Sequence, residues 1–485
     1  MEIGEIAMSL KGSLVLLMNE NLGFEATDCQ KNLFEKLAGF TVADSKDCFI
    51  MLVSGYAGTG KTSAISSYIK SLQHYGLKYK LCAPTGRSAK VLANYSNCKA
   101  CTIHKMIYRE KSMNDAFGKF VLDYNRDKNT VYIVDECSLI QISQGMEQSN
   151  IFGSGDLLDD LVEYVGSESG NKLILMGDPA QLPPIGFDRS PALDLDFLRS
   201  RYNNVIDAHL STVVRQQKES GILSNATMLR NLIEGGGFGD IRFNDAFEDI
   251  ERIGGAELIE ALSESIDNYG LDNVVVLCRS NNRANRYNAG IRQSVLFKEE
   301  QLVKGDKLMV VKNCYQFLEN VPEMEFIANG DVAELVSISG YEERYGLHFA
   351  QATLEFPDYD NASIKAKIIL DTLTSVSPSL QPEEQKQLFE GVFADYQMEF
   401  GKNRRKIIKA LKEDKYYNAL QIKYATAITC HKSQGGQWRC VFIDNSLWKD
   451  GISLDDMKWL YTAVTRAVEK VYFVNFKDKY FTKNH

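Results

Sequence analysis

Short apolar runs alternate with longer stretches of helical spacing along this chain, a rhythm that predicts an α/β architecture. Residues 49–53, 78–82, 131–134 and 172–176 read as buried strands, each running into a polar turn. Residues 63–72 and 88–95 carry helical spacing between them. Upstream, residues 1–23 are amphipathic without recognisable chemistry. Phe34, Leu37 and Phe40 then mark a helix that Thr27 and Gln30 would open as a capping box. A second unit begins near residue 200, with a helix ending at Gly235 to Gly237 and a strand at 274–278. A helix at 279–292, a strand at 441–444, a helix at 459–467 and a strand at 471–474 complete it.

Two segments depart from that rhythm. Residues 109–129 predict a small hairpin inserted in the first unit, with Phe117 and Phe120 among charged and small residues. Residues 303–356 alternate apolar and polar positions, with turns at Asn329-Gly330 and Ser339-Gly340, and predict a small antiparallel barrel. Residues 382–418 read as helical and strongly charged. The expected organisation is an N-terminal extension (1–23) and a first domain (24–200). A second domain (201–302 with 419–485) is interrupted by an insertion (303–418).

A length of 485 residues suits two to four domains. The net charge of −9 excludes a uniformly basic coat for nucleic acid, but not a local basic track. The most apolar N-terminal run, 14–18, is far shorter than the ~20 residues of a membrane-spanning helix, so no membrane association is expected. Ten dispersed cysteines suggest a reducing compartment and a cytoplasmic location. Cys98 and Cys101 with His104 lack a second ligand pair for structural zinc.

The candidate chemistry centres on Gly55-Tyr56-Ala57-Gly58-Thr59-Gly60-Lys61-Thr62, a G-x-x-x-x-G-K-T loop set between strand and helix. Its glycines let backbone N–H groups curl around a polyphosphate, Lys61 reaches the outer phosphates, and the Thr62 hydroxyl suits Mg2+. Asp135-Glu136 ends a predicted strand, where one carboxylate can hold a metal and the next can polarise water. Gln181, in a Gly-Asp-Pro turn, could hydrogen-bond the γ-phosphate. Gln30 has two readings, as the helix cap or as an amide that reads an adenine edge. Pro84 and Thr85 close another strand, where a hydroxyl and backbone amides suit a nucleic-acid phosphate.

The motifs stand in an informative order: GYAGTGKT, APTGRSAK, TIHK, DECS, GDPAQLPP, VVRQ, TAITCHKSQGGQW and YTAVTRA. This order resembles superfamily-one DNA helicases, most closely the RecD-like and phage Dda-like branch, across residues 24–475. The resemblance implies two RecA-like parallel-sheet domains flanking an ATP cleft, with a hairpin insertion in the first and a β-barrel plus helical insertion in the second. It implies that Gln30 reads adenine and that Gly55, Gly58, Thr59, Gly60, Lys61 and Thr62 hold the nucleotide. Asp135 and Thr62 would bind Mg2+, Glu136 would be the catalytic base, and Gln181 would sense the γ-phosphate. Arg215 and Arg466 match arginine fingers supplied by the second domain. Pro84, Thr85, His104, Thr429, His431 and Ser433 lie in segments resembling the single-strand contacts. A hairpin tip at Phe117 or Phe120 would act as the wedge.

In relatives the residue after SQGG is often acidic and contacts the ribose; here Gly435-Gly436 is followed by Gln437, which leaves sugar discrimination open. The expected activity is ATP-dependent translocation on single-stranded DNA, five-prime to three-prime, with unwinding of a duplex fork by a monomer. Single-strand-binding, replication or repair proteins are candidate partners. An RNA or RNA–DNA helicase, a subunit of a nuclease complex and an ATP-gated clamp that does not unwind are the competing expectations.

Overall fold

The computed structural model describes residues 3–46, 49–110, 120–142, 154–213, 220–236, 241–318, 326–445 and 451–482, with Val321, Met324 and Leu447. Helices α1 (Ile3–Leu22) and α2 (Asp28–Val42) precede the first sheet. That sheet holds β1 (Ile50–Gly55), β2 (Lys78–Ala83) and β3 (Ala100–Thr102). A separate pair, β4 (Tyr108–Glu110) and β5 (Phe120–Leu122), forms the inserted hairpin. The sheet continues with β6 (Thr130–Val134), β7 (Lys172–Gly177) and β8 (Val205–Leu210). Its order is β3-β2-β6-β7-β1-β8, all parallel. Helices α3 (Lys61–His74), α4 (Gly86–Ser96), α5 (Ile103–Ile107), α6 (Leu157–Gly166) and α7 (Leu195–Arg201) connect these strands.

One boundary differs from the pattern reading. The first sheet runs past residue 200, because β8 pairs with β1 from Ile50 to Gly55 and completes the edge beside the phosphate loop. The N-terminal extension, residues 1–23, packs on the first domain. Leu14, Met18 and Leu22 of α1 pack with Leu33, Phe34 and Leu37 of α2 and with Ile65, Tyr68 and Ile69 of α3. Amphipathic spacing alone predicts a buried stripe; only tertiary packing says against what.

The second domain begins with α8 (Gly221–Gly235), β9 (Ile250–Ile253), α9 (Leu258–Tyr269), β10 (Val274–Cys278) and α10 (Asn281–Ser294). The insertion is a closed barrel of β11 (Lys307–Val310), β12 (Val332–Arg344), β13 (Leu347–Phe356), β14 (Ala362–Ile369) and β15 (Leu420–Tyr424). Helices α11 (Pro382–Phe400) and α12 (Arg404–Glu413) lie between β14 and β15. The barrel therefore exceeds the expected 303–356 and takes its last strand from beyond residue 418. Ala362, Ile364, Ala366 and Ile368 face its core, and β15 closes it against β11 and β14. The second sheet, β16-β10-β17-β18-β9, is all parallel. It adds β16 (Ala427–Thr429), β17 (Trp438–Asp444) and β18 (Ala467–Val474), with α13 (Leu454–Val464) before β18.

The fold is α/β, with two RecA-like sheets and a barrel inserted in the second. Among the described residues an apolar cluster joins the domains: Tyr56, Ala180 and Leu182 of the first pack with Ile222, Trp459 and Leu460 of the second. No described helix is long and apolar enough to cross a membrane.

Candidate functional site

The phosphate loop leaves β1 at Gly55 and enters α3 at Lys61. Gly58 has φ +76°, and a Cβ there would lie 2.6 Å from Leu223 Cδ1 of α8, so glycine meets both a conformational and a packing demand. Thr59 is buried, and its hydroxyl donates to Tyr56 O at 2.8 Å. Thr62 is exposed in the first turn of α3. The Lys61 ammonium donates to Gly55 O and, at 2.9 Å, to Tyr56 O, and lies 4.0 Å from Asp178 Oδ2. It is thus anchored beside the N-terminus of α3, where backbone N–H groups and the helix dipole favour an anion.

Gln30 satisfies the capping reading. Its Oε1 accepts from Thr27 N at 3.0 Å, and its Nε2 donates to Thr59 O at 3.5 Å. Fully buried, its amide braces α2 against the loop rather than facing open space.

β6 delivers the acidic pair. Asp135 Oδ2 accepts from Tyr95 OH and Oδ1 from Glu136 N, both at 2.8 Å. Glu136 adopts φ +53°, a left-handed conformation costly for a residue with a Cβ and of the kind concentrated at functional sites. Burial pushes the Glu136 carboxyl up to about 6, opposed by Arg466 and assisted by Asp135. The Asp135 carboxyl is raised too, chiefly by burial.

The second domain completes this site through α13 and the residues after it. Arg466 is 4% exposed, and its Nη1 lies 4.0 Å from Glu136 Oε1. Its guanidinium is held by Thr462 O at 3.2 Å and Gly436 O at 3.3 Å. Tyr461, which the motif reading did not single out, bridges the domains. Its hydroxyl donates to Asp178 Oδ2 at 2.7 Å and accepts from Ala57 N of the phosphate loop at 2.8 Å. Leu182 N donates to Thr462 Oγ1 at 2.9 Å, and Leu182 O accepts from Gln434 Nε2 at 2.7 Å. Gln181, one residue earlier, is buried, and its Oε1 has no hydrogen-bond partner among the described residues. Arg215 lies outside the described residues.

A cavity of about 640 Å³ lies beside this site, lined by both domains and the barrel. The first domain contributes Pro84, Thr85 and His104, the second His431 and Lys432, and the barrel Lys312, Tyr315 and Asn329. Four of the six expected strand-contacting residues therefore share one groove. The other two do not reach it. Ser433 is buried and donates its hydroxyl to Cys430 O at 2.7 Å, while Thr429 stands at the start of the short turn that follows it, without a side-chain hydrogen bond into that turn. The Thr85 hydroxyl caps α4 by accepting from Ser88 N at 3.2 Å. Burial lowers the His104 imidazole to about 4, so it is neutral at pH 7. Burial lowers the Lys432 ammonium to about 8.

Gly435 and Gln437 meet α4 and its neighbours rather than the phosphate loop. A Cβ on Gly435 would lie 1.9 Å from Ser88 Oγ, and Gln437 O accepts from Arg87 at 3.4 Å. The Arg87 guanidinium stacks 3.9 Å above Trp438, a second contact between domains. Phe120 begins β5, where it pairs with Glu110 of β4, and its ring sits 4.7 Å from that of Tyr315 in the barrel. Phe117 lies outside the described residues.

A family model for an AAA domain matches residues 30–235, and one for the UvrD-like helicase C-terminal domain matches residues 424–474. The ATP-dependent RecD2 DNA helicase of Deinococcus radiodurans is 26% identical over 52% of this chain and 30% of its own. These matches support a superfamily-one helicase of the RecD-like and Dda-like kind. The chain is thus a member of an ATP-hydrolysing enzyme family. An uncharacterised protein of Acanthamoeba polyphaga mimivirus is 24% identical to this helicase over 90% of the chain and 97% of its own. The two relatives differ in extent: the chain spans nearly all of the viral protein but under a third of the bacterial one. A solved Pif1 helicase from Bacteroides, in complex with ADP-AlF3 and ssDNA, matches with TM-score 0.45 and 16% identity over 95% of each chain.

Removing the bridging hydroxyl leaves the buried Asp178 carboxylate and Ala57 N–H each short of a partner. Tyr461→Phe is expected to destabilise the protein by about 1–3 kcal/mol, read as a lower urea midpoint; an unchanged midpoint would show that the bridge carries no weight.

Proposed function

We propose that this chain is an ATP-dependent DNA helicase that moves five-prime to three-prime along a single strand and separates duplex ahead of it. The observation that carries this reading is the shared site. Glu136 from the first domain and Arg466 from the second stand 4.0 Å apart, beside a groove that both domains and the barrel line. Hydrolysis and strand grip would then depend on the same relative position of two domains, which is what a translocating motor requires.

In this reading the phosphate loop and Lys61 bind the phosphates of ATP. Glu136 takes a proton from the attacking water, and Arg466 stabilises the charge that develops on the transferred phosphoryl group. The exposed Thr62 hydroxyl and the Asp135 carboxylate are hard oxygen donors that fit Mg2+, which when bound would neutralise phosphate charge. The orphaned Gln181 oxygen suits contact with the attacking water or its proton. Pro84, Thr85, His104 and His431 would face the strand through backbone and neutral groups, which favours low sequence preference. The five-prime to three-prime polarity comes from the RecD-like and Dda-like resemblance.

A base whose carboxyl sits at about 6 is active only when deprotonated. The kcat for ATP is therefore expected to fall as pH drops through about 6, and this acid limb should vanish with Glu136→Gln, whose residual rate is low and flat. A limb near 4.5 would contradict the raised carboxyl. The directional claim is tested with duplexes carrying a five-prime or a three-prime tail, with Lys61→Ala as the inactive control. Unwinding of the five-prime-tailed substrate is expected; unwinding confined to the three-prime tail would overturn the polarity.

A further inference from the structure

The helices between β14 and β15 line neither the phosphate-loop site nor the groove, yet their surface is polarised in charge. α12 buries Ile407 and Leu411, which join a cluster with Leu388 and Val392 of α11 and Phe349 of the barrel. At 100° per residue, Arg405, Lys406 and Lys409 fall on the opposite side of the helix from that apolar pair. All three are exposed. Among the described residues none of the three has an ion-pair partner, although the protein carries nine more acidic than basic side chains in total. The acidic residues of α11 nearby are partly spoken for: Asp395 pairs with Arg344, and Glu390 with Lys386. Long cations left exposed together repel one another, a cost that a solvated helix face in an acidic protein has no need to bear.

The position of α12 gives these cations a direction. Its last turn is tied to the barrel loop at the groove, where Gln316 Nε2 donates to Lys412 O at 2.6 Å. The residue before Gln316 is Tyr315, whose ring lines the groove and meets Phe120 of the inserted hairpin. The C-terminal end of α12 is thus tied to the loop whose Tyr315 lines the groove, and Lys409 lies about one turn back along the helix from that tie. Arg405 to Lys409 is one turn of helix, about 6 Å, a span that reaches about two phosphates of one strand at 3.4 Å each along a duplex axis.

We propose that Arg405, Lys406 and Lys409 form a binding surface for the phosphate backbone of duplex DNA on the fork side of the groove. This rests on the helicase reading above, since it supposes a single strand in the groove with duplex next to it. The contact is electrostatic and independent of sequence. It would hold the duplex arm against the barrel while the strand is drawn through, without touching the nucleotide site.

The test compares the full-length protein with R405Q/K406Q/K409Q by fluorescence anisotropy on a five-prime-tailed fork and on the tail alone, over a series of salt concentrations. Fork affinity is expected to fall about tenfold or more at 0.1 M salt. The slope of log K against log salt should shrink by about 1.8, from about 0.9 for each of about two lost phosphate contacts. Tail affinity and tail-stimulated ATPase should stay as in the parent. R405K/K406R/K409R, which keeps the charges, should restore fork binding and so excludes a folding defect. Unchanged fork affinity would reduce the surface to a solvated helix face, and an equal loss on fork and tail would place the single strand there; either overturns the proposal. If the parent protein itself binds neither DNA, the helicase reading fails with it.

Discussion

Everything in this molecule turns on the phosphate-loop site being built by two sheets. The phosphate loop, Asp135, Glu136 and Asp178 stand at the C-terminal ends of strands in the first domain. Tyr461 and Arg466 arrive from the second, over 280 residues after Asp178. Tyr461 makes this a mechanical linkage, because one hydroxyl serves both a phosphate-loop N–H and the carboxylate that faces Lys61. Buried polar groups of this kind must be paired, so the domains cannot shift without exchanging partners. An interface that is stable only in particular arrangements is suited to switching between them.

The groove inherits that constraint. Its walls come from α4 and α5 on one side and the turn after β16 on the other, and the barrel closes it. Any change in how α13 sits on the phosphate loop moves these walls, since α13 packs on the same apolar cluster as Tyr56 and Leu182. The stacking of Arg87 on Trp438 spans the same interface next to Gly436, whose carbonyl holds Arg466. The groove and the phosphate-loop site are thus two faces of one domain interface.

Much of this was legible in the sequence. Buried parallel strands are apolar runs, and the phosphate loop, the acidic pair and the late arginine carry residue types that only a few chemistries need. What escaped has physical causes. Tyr461 sits in a recognised motif, but nothing near it in the chain announces Asp178 as its partner. The burial of α1 depends on packing that its amphipathic pattern does not name. For β14 the signal was present: Ala362, Ile364, Ala366 and Ile368 alternate with Ser363, Lys365 and Lys367, a period of two. Gln30 and Ser433 follow a different rule, because capping and turn formation claim the same amides and hydroxyls that a ligand would. The groove itself shows in no local pattern, since three separate parts of the chain build it.

The most direct test of a site shared between domains is pre-steady-state ATP hydrolysis by Arg466→Ala under saturating single-stranded DNA. A residue that acts on the transition state across the interface should lower the hydrolysis rate by about 10³ or more, while nucleotide affinity changes little. A rate within tenfold of the parent would mean that the first domain hydrolyses ATP without the second, and would contradict the account.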